Sequence, residues 1–287
     1  DHRDLHSFPT RRSSDLARVL GAEAYGKVAF AQVFIAYFVL LVDYGFSWSA
    51  TRKIAAHREE YDFVSQTFVA TWLVQWLLVV LALMLLALII LASERLRPDV
   101  WFYVAAFSSV LGSALFPVWF LQGLERLQAV ASVQLLTRTA ALLPIFMLVK
   151  QPADAIWVLV INGAGSIFGG LLTLAWINNQ RLDHWRWPGW RQIGSALCEG
   201  GALFGSRAAI SLYTALVPLV LGCVPGPVAL AYFNVADKLR SAAQALLSPL
   251  SQALFPRMSH LVASNAGEAF RLVKRSALAI QIGRAHV

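Results

Sequence analysis

Long apolar runs alternate with short polar loops along almost the whole chain. Seven runs reach about the 20 mostly apolar residues that a bilayer-spanning helix needs. They are Val28–Ala50, Gln66–Ala92, Val100–Leu121, Ala129–Val149, Ala155–Ile177, Ala202–Leu221 and Val228–Phe255, and an eighth begins near Ser276. They are rich in Leu, Ala, Val and Phe. They are too long for barrel strands and lack the alternation of an outer-membrane barrel. Lipid cannot satisfy exposed backbone groups, so such runs must be helices. The expected fold is an all-α, multi-pass transmembrane helix bundle with seven to eight spans in the chain.

Composition sharpens this reading. Of the 287 residues, 58% are hydrophobic and 14% are charged, and the mean hydropathy is +0.60. A soluble domain is nearer half apolar and a quarter charged. The net charge of +8 is not gathered on a soluble-looking segment, so it does not point to nucleic acid. Instead it follows the loops. Arg52, Lys53, Arg58, Arg126, Arg181, Arg186, Arg191, Arg257, Arg271, Lys274 and Arg275 fall on one side of the predicted topology. Arg18, Lys27, Arg95, Arg97 and Lys150 fall on the other. The positive-inside rule places the first group in the cytoplasm. Trp185, Trp187 and Trp190, alternating with Arg186 and Arg191, read as an interfacial anchor. Cys198 and Cys223 show no ligand spacing and read as small apolar residues.

The polar positions inside the spans carry the candidate chemistry. An ionisable side chain at mid-bilayer costs about 2.5–3.5 kcal/mol on insertion scales, so it faces a wet cavity or a partner. Gln32, Ala36, Val39, Asp43 and Ser47 form a narrow stripe on the first span. Gln134 and Arg138 lie one turn apart on the fourth, and Arg207 precedes Ser211 and Thr214 on the sixth. The last span carries Asn234, Asp237, Lys238, Arg240, Ser241, Gln244, Ser248 and Ser251, most of them on one helical face. Cations outnumber anions, which favours an anionic ligand such as phosphate, since the planar Arg fork donates two hydrogen bonds. Pairing that merely holds the bundle together is the alternative. Pro117, Pro144, Pro218 and Pro249 lie inside spans, where each removes a backbone hydrogen bond. The chain has no metal-ligand spacing, P-loop, G-x-G-x-x-G or G-x-S-x-G. No catalytic residue, metal or cofactor is therefore expected, and the chain does not read as an enzyme.

The two ends look foreign. Residues 1–16, DHRDLHSFPTRRSSDL, back-translate into a common sequencing adapter, and the final IGRAHV into the opposite one. On this reading residues 1–16 and 281–287 are artefacts and about 17–280 are native.

Four stretches carry a family resemblance. They are LARVLGAEAYGKVAFAQ (16–32), LLVDYGFSWSATRKIAAHR (40–58), PVWFLQGLERLQ (117–128) and DKLRSAAQALLSPLSQALFPRMSH (237–260). Together they resemble the polysaccharide biosynthesis (Wzx-type) flippases of the multidrug/oligosaccharidyl-lipid/polysaccharide exporter superfamily. The resemblance implies about twelve or more spans in two related lobes. Residues 17–200 would be a first lobe lacking most of its first helix, and 201–280 the start of the second. It also implies an inner-membrane flippase for an undecaprenyl-diphosphate-linked oligosaccharide, with Arg207 at the place of a cavity arginine. Arg138, Arg207, Lys238 and Arg240 would then hold diphosphate or acidic sugars. Asn234, Gln134 and Gln244 would bond sugar hydroxyls, and Asp43 or Asp237 would couple transport to an ion. The expected partners are the lipid-linked oligosaccharide, membrane lipid, and a polysaccharide polymerase with glycosyltransferases. Nucleic acid is not among them. The competing readings are a drug/cation antiporter of the same superfamily, a membrane-embedded polymerase or ligase, and a scaffold.

Overall fold

The computed structural model describes residues 8–179, 187–224 and 226–241. All elements among them are helical. They are α1 (Phe8–Asp43), α2 (Phe46–Ala56), α3 (Tyr61–Ala92), α4 (Val100–Leu115), α5 (Val118–Gly123), α6 (Leu127–Ala140), α7 (Leu142–Leu148), α8 (Ala155–Asn179) and α9 (Trp190–Cys223), with 3-10 turns at Arg97–Asp99 and Pro152–Asp154. A further helix covers 227–241. By contact the chain divides into two compact units, residues 16–231 and residues 232–287 with 1–15.

Five stretches are long and apolar enough to cross a membrane: Arg18–Ala56, Tyr61–Ala92, Arg97–Gly123, Leu127–Leu148 and Pro152–Asn178. They coincide with the first five predicted spans. The sixth lies within the helical α9, and the seventh starts in the 227–241 helix and continues outside the described residues. The protein is thus an all-α polytopic membrane protein. Leu77, Val80, Leu83, Met84, Leu88 and Leu91 of α3 are exposed, as lipid-facing side chains would be.

The first, third and fourth spans are not continuous helices; the third and fourth break at the prolines the sequence marks, whereas the first breaks at a point the sequence reading does not mark. The first breaks where Tyr44 (φ 44°) and Gly45 (φ 79°) enter the left-handed region, which a glycine tolerates without cost. The third breaks at Phe116–Pro117, because Pro117 has no N–H for the Ser113 carbonyl. Val118 N–H turns to the Phe116 carbonyl instead, at 2.8 Å. Trp72 Nε1 donates to the Ala114 carbonyl at 3.2 Å, supplying a carbonyl at the break with a donor. The fourth divides at Ala141. Pro144 cannot bond the carbonyl of Ala140, the last residue of α6. Pro218 sits inside an unbroken α9, and Pro249 lies outside the described residues. A further break at Gly21 (φ 72°) interrupts α1.

Helices α4 and α8 form the closest seam. A Cβ on Gly163 would collide with the Ser108 side chain, one on Gly112 with Ser166, and one on Gly170 with Leu115. Small residues let membrane helices meet backbone to backbone. Loop contacts agree with an up-and-down order. Lys27 Nζ donates to Asp99 Oδ1 at 3.1 Å, joining the starts of the first and third spans. Arg58 pairs with Glu125 at 2.7 Å across their ends. Lys53 pairs with Glu199 at 2.7 Å, joining the end of the first span to the start of α9. Arg95, just after the second span, donates to the Cys223 carbonyl at the end of α9, at 3.3 Å.

Candidate functional site

Two adjoining clefts open along the α1 stripe inside the 16–231 unit. The larger, about 490 Å³, is lined by Ala36, Val39, Leu40, Asp43, Ser47, Gln75, Ser113, Phe116 and Val118. The smaller, about 240 Å³, is lined by Gln32, Ala36, Val39, Ala106, Ser109, Leu159 and Asn162. The whole predicted stripe Gln32–Ala36–Val39–Asp43–Ser47 therefore borders these hollows, with Ala36 and Val39 shared between them.

The chain breaks build the larger cleft. The left-handed turn at Tyr44–Gly45 ends α1 at Asp43 and starts α2, and Ser47 Oγ donates to Asp43 Oδ1 at 2.6 Å across that turn. The Pro117 break places Phe116 and Val118 on the rim. Gln75, only 3% exposed, accepts the Trp119 indole N–H at 3.2 Å. Trp119 packs against Phe68 at 5.6 Å between ring centroids, and its carbonyl accepts the Thr51 hydroxyl at 2.9 Å. Among the described residues, Asp43 is the only charged one lining either cleft.

The other predicted site residues are dispersed. Gln134 and Arg138 are exposed on α6, whose neighbouring Thr137 packs against Gly169 of α8. Arg207 lies on helical backbone in α9, with its side chain outside the described residues. In the 232–287 unit, Asn234 is half-buried and Lys238 is exposed. Arg240 Nε donates to Asp237 Oδ1 at 2.8 Å, so those two neighbours pair with each other. Gln244 lies outside the described residues. Among the described residues, no group of three or more His, Cys, Asp or Glu could hold a metal ion.

The sequence reading missed Gln75, Ser109, Ser113 and Asn162. Gln75 and Asn162 were legible only as lone polar residues in apolar runs, a signal of interior position in a membrane helix. The two serines each bond back to their own helix, Ser109 to the Ala106 carbonyl at 2.6 Å and Ser113 to the Val110 carbonyl at 2.7 Å. Without contacts across helices they look like tolerated membrane serines.

Comparison with known proteins adds a family. The model of the family described as "Polysaccharide biosynthesis protein" matches residues 15–262. A relative from Escherichia coli (strain K12), named for O-antigen transport, is 29% identical over 270 residues, covering 91% of this chain and 63% of its own length. One from Shigella dysenteriae with the same name is 31% identical over 244 residues, covering 85% of this chain and 61% of its own. The chain thus spans about three-fifths of the length of these relatives. No solved structure matches. With the family model matching most of its length, the chain belongs to the polysaccharide biosynthesis protein family.

Proposed function

We propose that the chain is part of a flippase of a bacterial inner membrane. It moves an undecaprenyl-diphosphate-linked oligosaccharide, of O-antigen, capsule or exopolysaccharide type, from the cytoplasmic to the periplasmic leaflet by alternating access. The observation that carries this reading is a polar cleft, set among membrane-spanning helices, in a chain of this family. A transporter needs such a wet path, because a glycan's hydroxyls cannot cross hydrocarbon unpaired. The names of the two relatives support the cargo class.

In this reading residues 17–200 are a first lobe and 201–280 open a second, with the ends 1–16 and 281–287 foreign to the gene. Arg138, Arg207, Lys238 and Arg240 hold the diphosphate, and Asn234, Gln134 and Gln244 bond the glycan. Exposure of Arg138 and Lys238 supports a role facing water or further helices, since lipid contact at mid-span is costly. Asp43 or Asp237 couples the cycle to an ion. A polymerase and glycosyltransferases act before and after transport. The test is Arg207→Ala with Lys238→Ala in the full-length gene, reading surface polysaccharide at equal protein level. The expected result is a loss of more than tenfold, and unchanged output removes the cation role.

A drug/cation antiporter is the second reading, favoured by Asp43 being the charged residue at the clefts among the described residues. Its signature is a drug-sensitivity change on expression with no change in surface polysaccharide.

A further inference from the structure

Helix α9 is held at its two ends in different ways. At its start, three helices meet through side-chain tips. Lys53 of α2 pairs with Glu199 of α9 at 2.7 Å and donates to Ser195 Oγ at 3.1 Å. Gln192 Nε2 of α9 donates to Gln66 Oε1 of α3 at 2.7 Å, while Gln192 Oε1 accepts the Gly189 N–H at 3.0 Å. A hollow of about 110 Å³ lies between the same helices, with Ser49, Thr67 and Thr71 on its wall beside Lys53 and Glu199. That volume has room for several waters, and the wall supplies their partners. The Lys53 and Glu199 side chains are 29% and 35% exposed. Water therefore replaces much of what the pair gains, and making or breaking it is nearly balanced. The loop charges assign this end to the cytoplasm.

The far end is packed at backbone distance. A Cβ on Gly222 would overlap the Phe30 ring of α1, and one on Gly26 of α1 would overlap the Pro227 carbonyl just beyond α9. Arg95 adds its bond to the Cys223 carbonyl. Contacts this close have no long side chain to swing aside, so this end resists separation and suits a pivot. Between the two ends, the Tyr44 turn is seated on α9. The Tyr44 ring stacks on Phe204 at 5.1 Å between centroids, and a Cβ on Gly200 would meet the Tyr44 carbonyl at 2.8 Å. The residues facing the turn there are Gly200 and Gly201, which have no side chains to interlock with it. The same turn ends α1 at Asp43, on the wall of the larger cleft. The side-chain clasp thus keeps α9 seated on the turn that borders that cleft.

We infer that Lys53, Glu199, Gln66 and Gln192 form a latch. Closed, it seats the first half of α9 on α2, α3 and the Tyr44 turn. Released, it lets that half swing away about the Gly222–Phe30 contact and admits water to the turn beside the larger cleft. α9 runs unbroken through residue 200, the proposed join of the two lobes, so its swing moves one lobe on the other. The inference rests on the flippase reading for the need to open, and it goes beyond that reading by naming the side chains that hold the closed state and the contact about which it opens.

The test uses the full 287-residue chain in lipid nanodiscs, in a Cys198→Ser/Cys223→Ser background, with spin-label pairs read by pulsed double electron resonance. One pair, Arg52→Cys with Gly194→Cys, reports the latch end. A second, Glu94→Cys with Val224→Cys, reports the pivot end, and all four positions are exposed. In Glu199→Gln with Gln192→Ala, the ratio of long to short latch-end distances should rise about tenfold, the effect of losing one partly exposed ion pair and one amide hydrogen bond. Pivot-end distances should stay unchanged. Lys53→Glu should open the latch by itself, and adding Glu199→Lys should close it again, a rescue that general loosening of the fold would not give. The inference is overturned by latch-end distances indifferent to these variants, by separation at both ends together, or by a reversed pair that stays open. The distances do not require transport, so the two readings separate. A latch that opens as expected, in a protein whose full-length gene exports no polysaccharide, removes the flippase alone. Export by the full-length gene with no change in distance removes the latch alone.

Discussion

The α1–α3–α4 cleft and the outer face of α6 both set polar residues within predicted spans, but they treat them oppositely. In the cleft, Gln75 is buried and bonded to Trp119, and Asp43 is bonded across a turn by Ser47. On α6, Gln134 and Arg138 are exposed. Among the described residues, those lining the cleft are neutral or acidic, and Arg138 is exposed. A surplus of mid-span cations therefore does not by itself give a cavity its sign. The sign depends on which helix faces which, and that is decided by small residues and chain breaks.

Three substitutions sharpen this contrast. The largest effect is expected from Gly163→Leu. Even a Cβ there overlaps Ser108, and overpacking costs about 1–3 kcal/mol. A circular dichroism melt should show a lower Tm, and Ser109 and Asn162 should lose their shared cleft. An unchanged Tm would mean the α4–α8 seam is looser than described. Next is Gln75→Leu, which leaves the buried Trp119 N–H without an acceptor at a cost of about 1–3 kcal/mol. Near-ultraviolet dichroism and tryptophan emission should shift, whereas Arg138→Gln on the exposed side should leave both unchanged. An equal response at the two sites would erase the distinction. The smallest effect is expected from Arg58→Ala. Its pair with Glu125, with the two side chains 50% and 71% exposed, is worth about 0–1 kcal/mol, and 1 M salt should abolish even that difference.

Much of the fold was legible because lipid imposes a length and a polarity that a run of 20 residues either meets or fails. The spans at Tyr61–Ala92 and Pro152–Asn178 needed nothing more. Breaks were legible where they have a covalent cause, as at Pro117 and Pro144. The break at Tyr44–Gly45 was not, because a glycine among apolar residues gives no sign of which φ it will adopt. The α1 stripe was found because helical periodicity gathers Gln32, Asp43 and Ser47 on one side. Gln75 and Asn162 escaped because the polar side chains nearest them along their helices are hydroxyls such as Thr71 and Ser166, which membrane helices tolerate. Their meaning lies in Trp119 and in α1, far away in sequence. Two of the breaks lie in stretches that resemble the family, Tyr44–Gly45 in 40–58 and Pro117 in 117–128, whereas the one at Ala141 lies in none.

The glycine seam has one more consequence. Ser109 and Asn162 sit on two helices that touch through their main chains, so their spacing is fixed by peptide geometry rather than by adjustable rotamers. That wall of the smaller hollow behaves as a rigid gauge. A guest of the wrong width must be accommodated on the α1 side, where Gln32 is exposed. Selectivity by guest width would then be inherited from the backbone, and adaptability from a single helix.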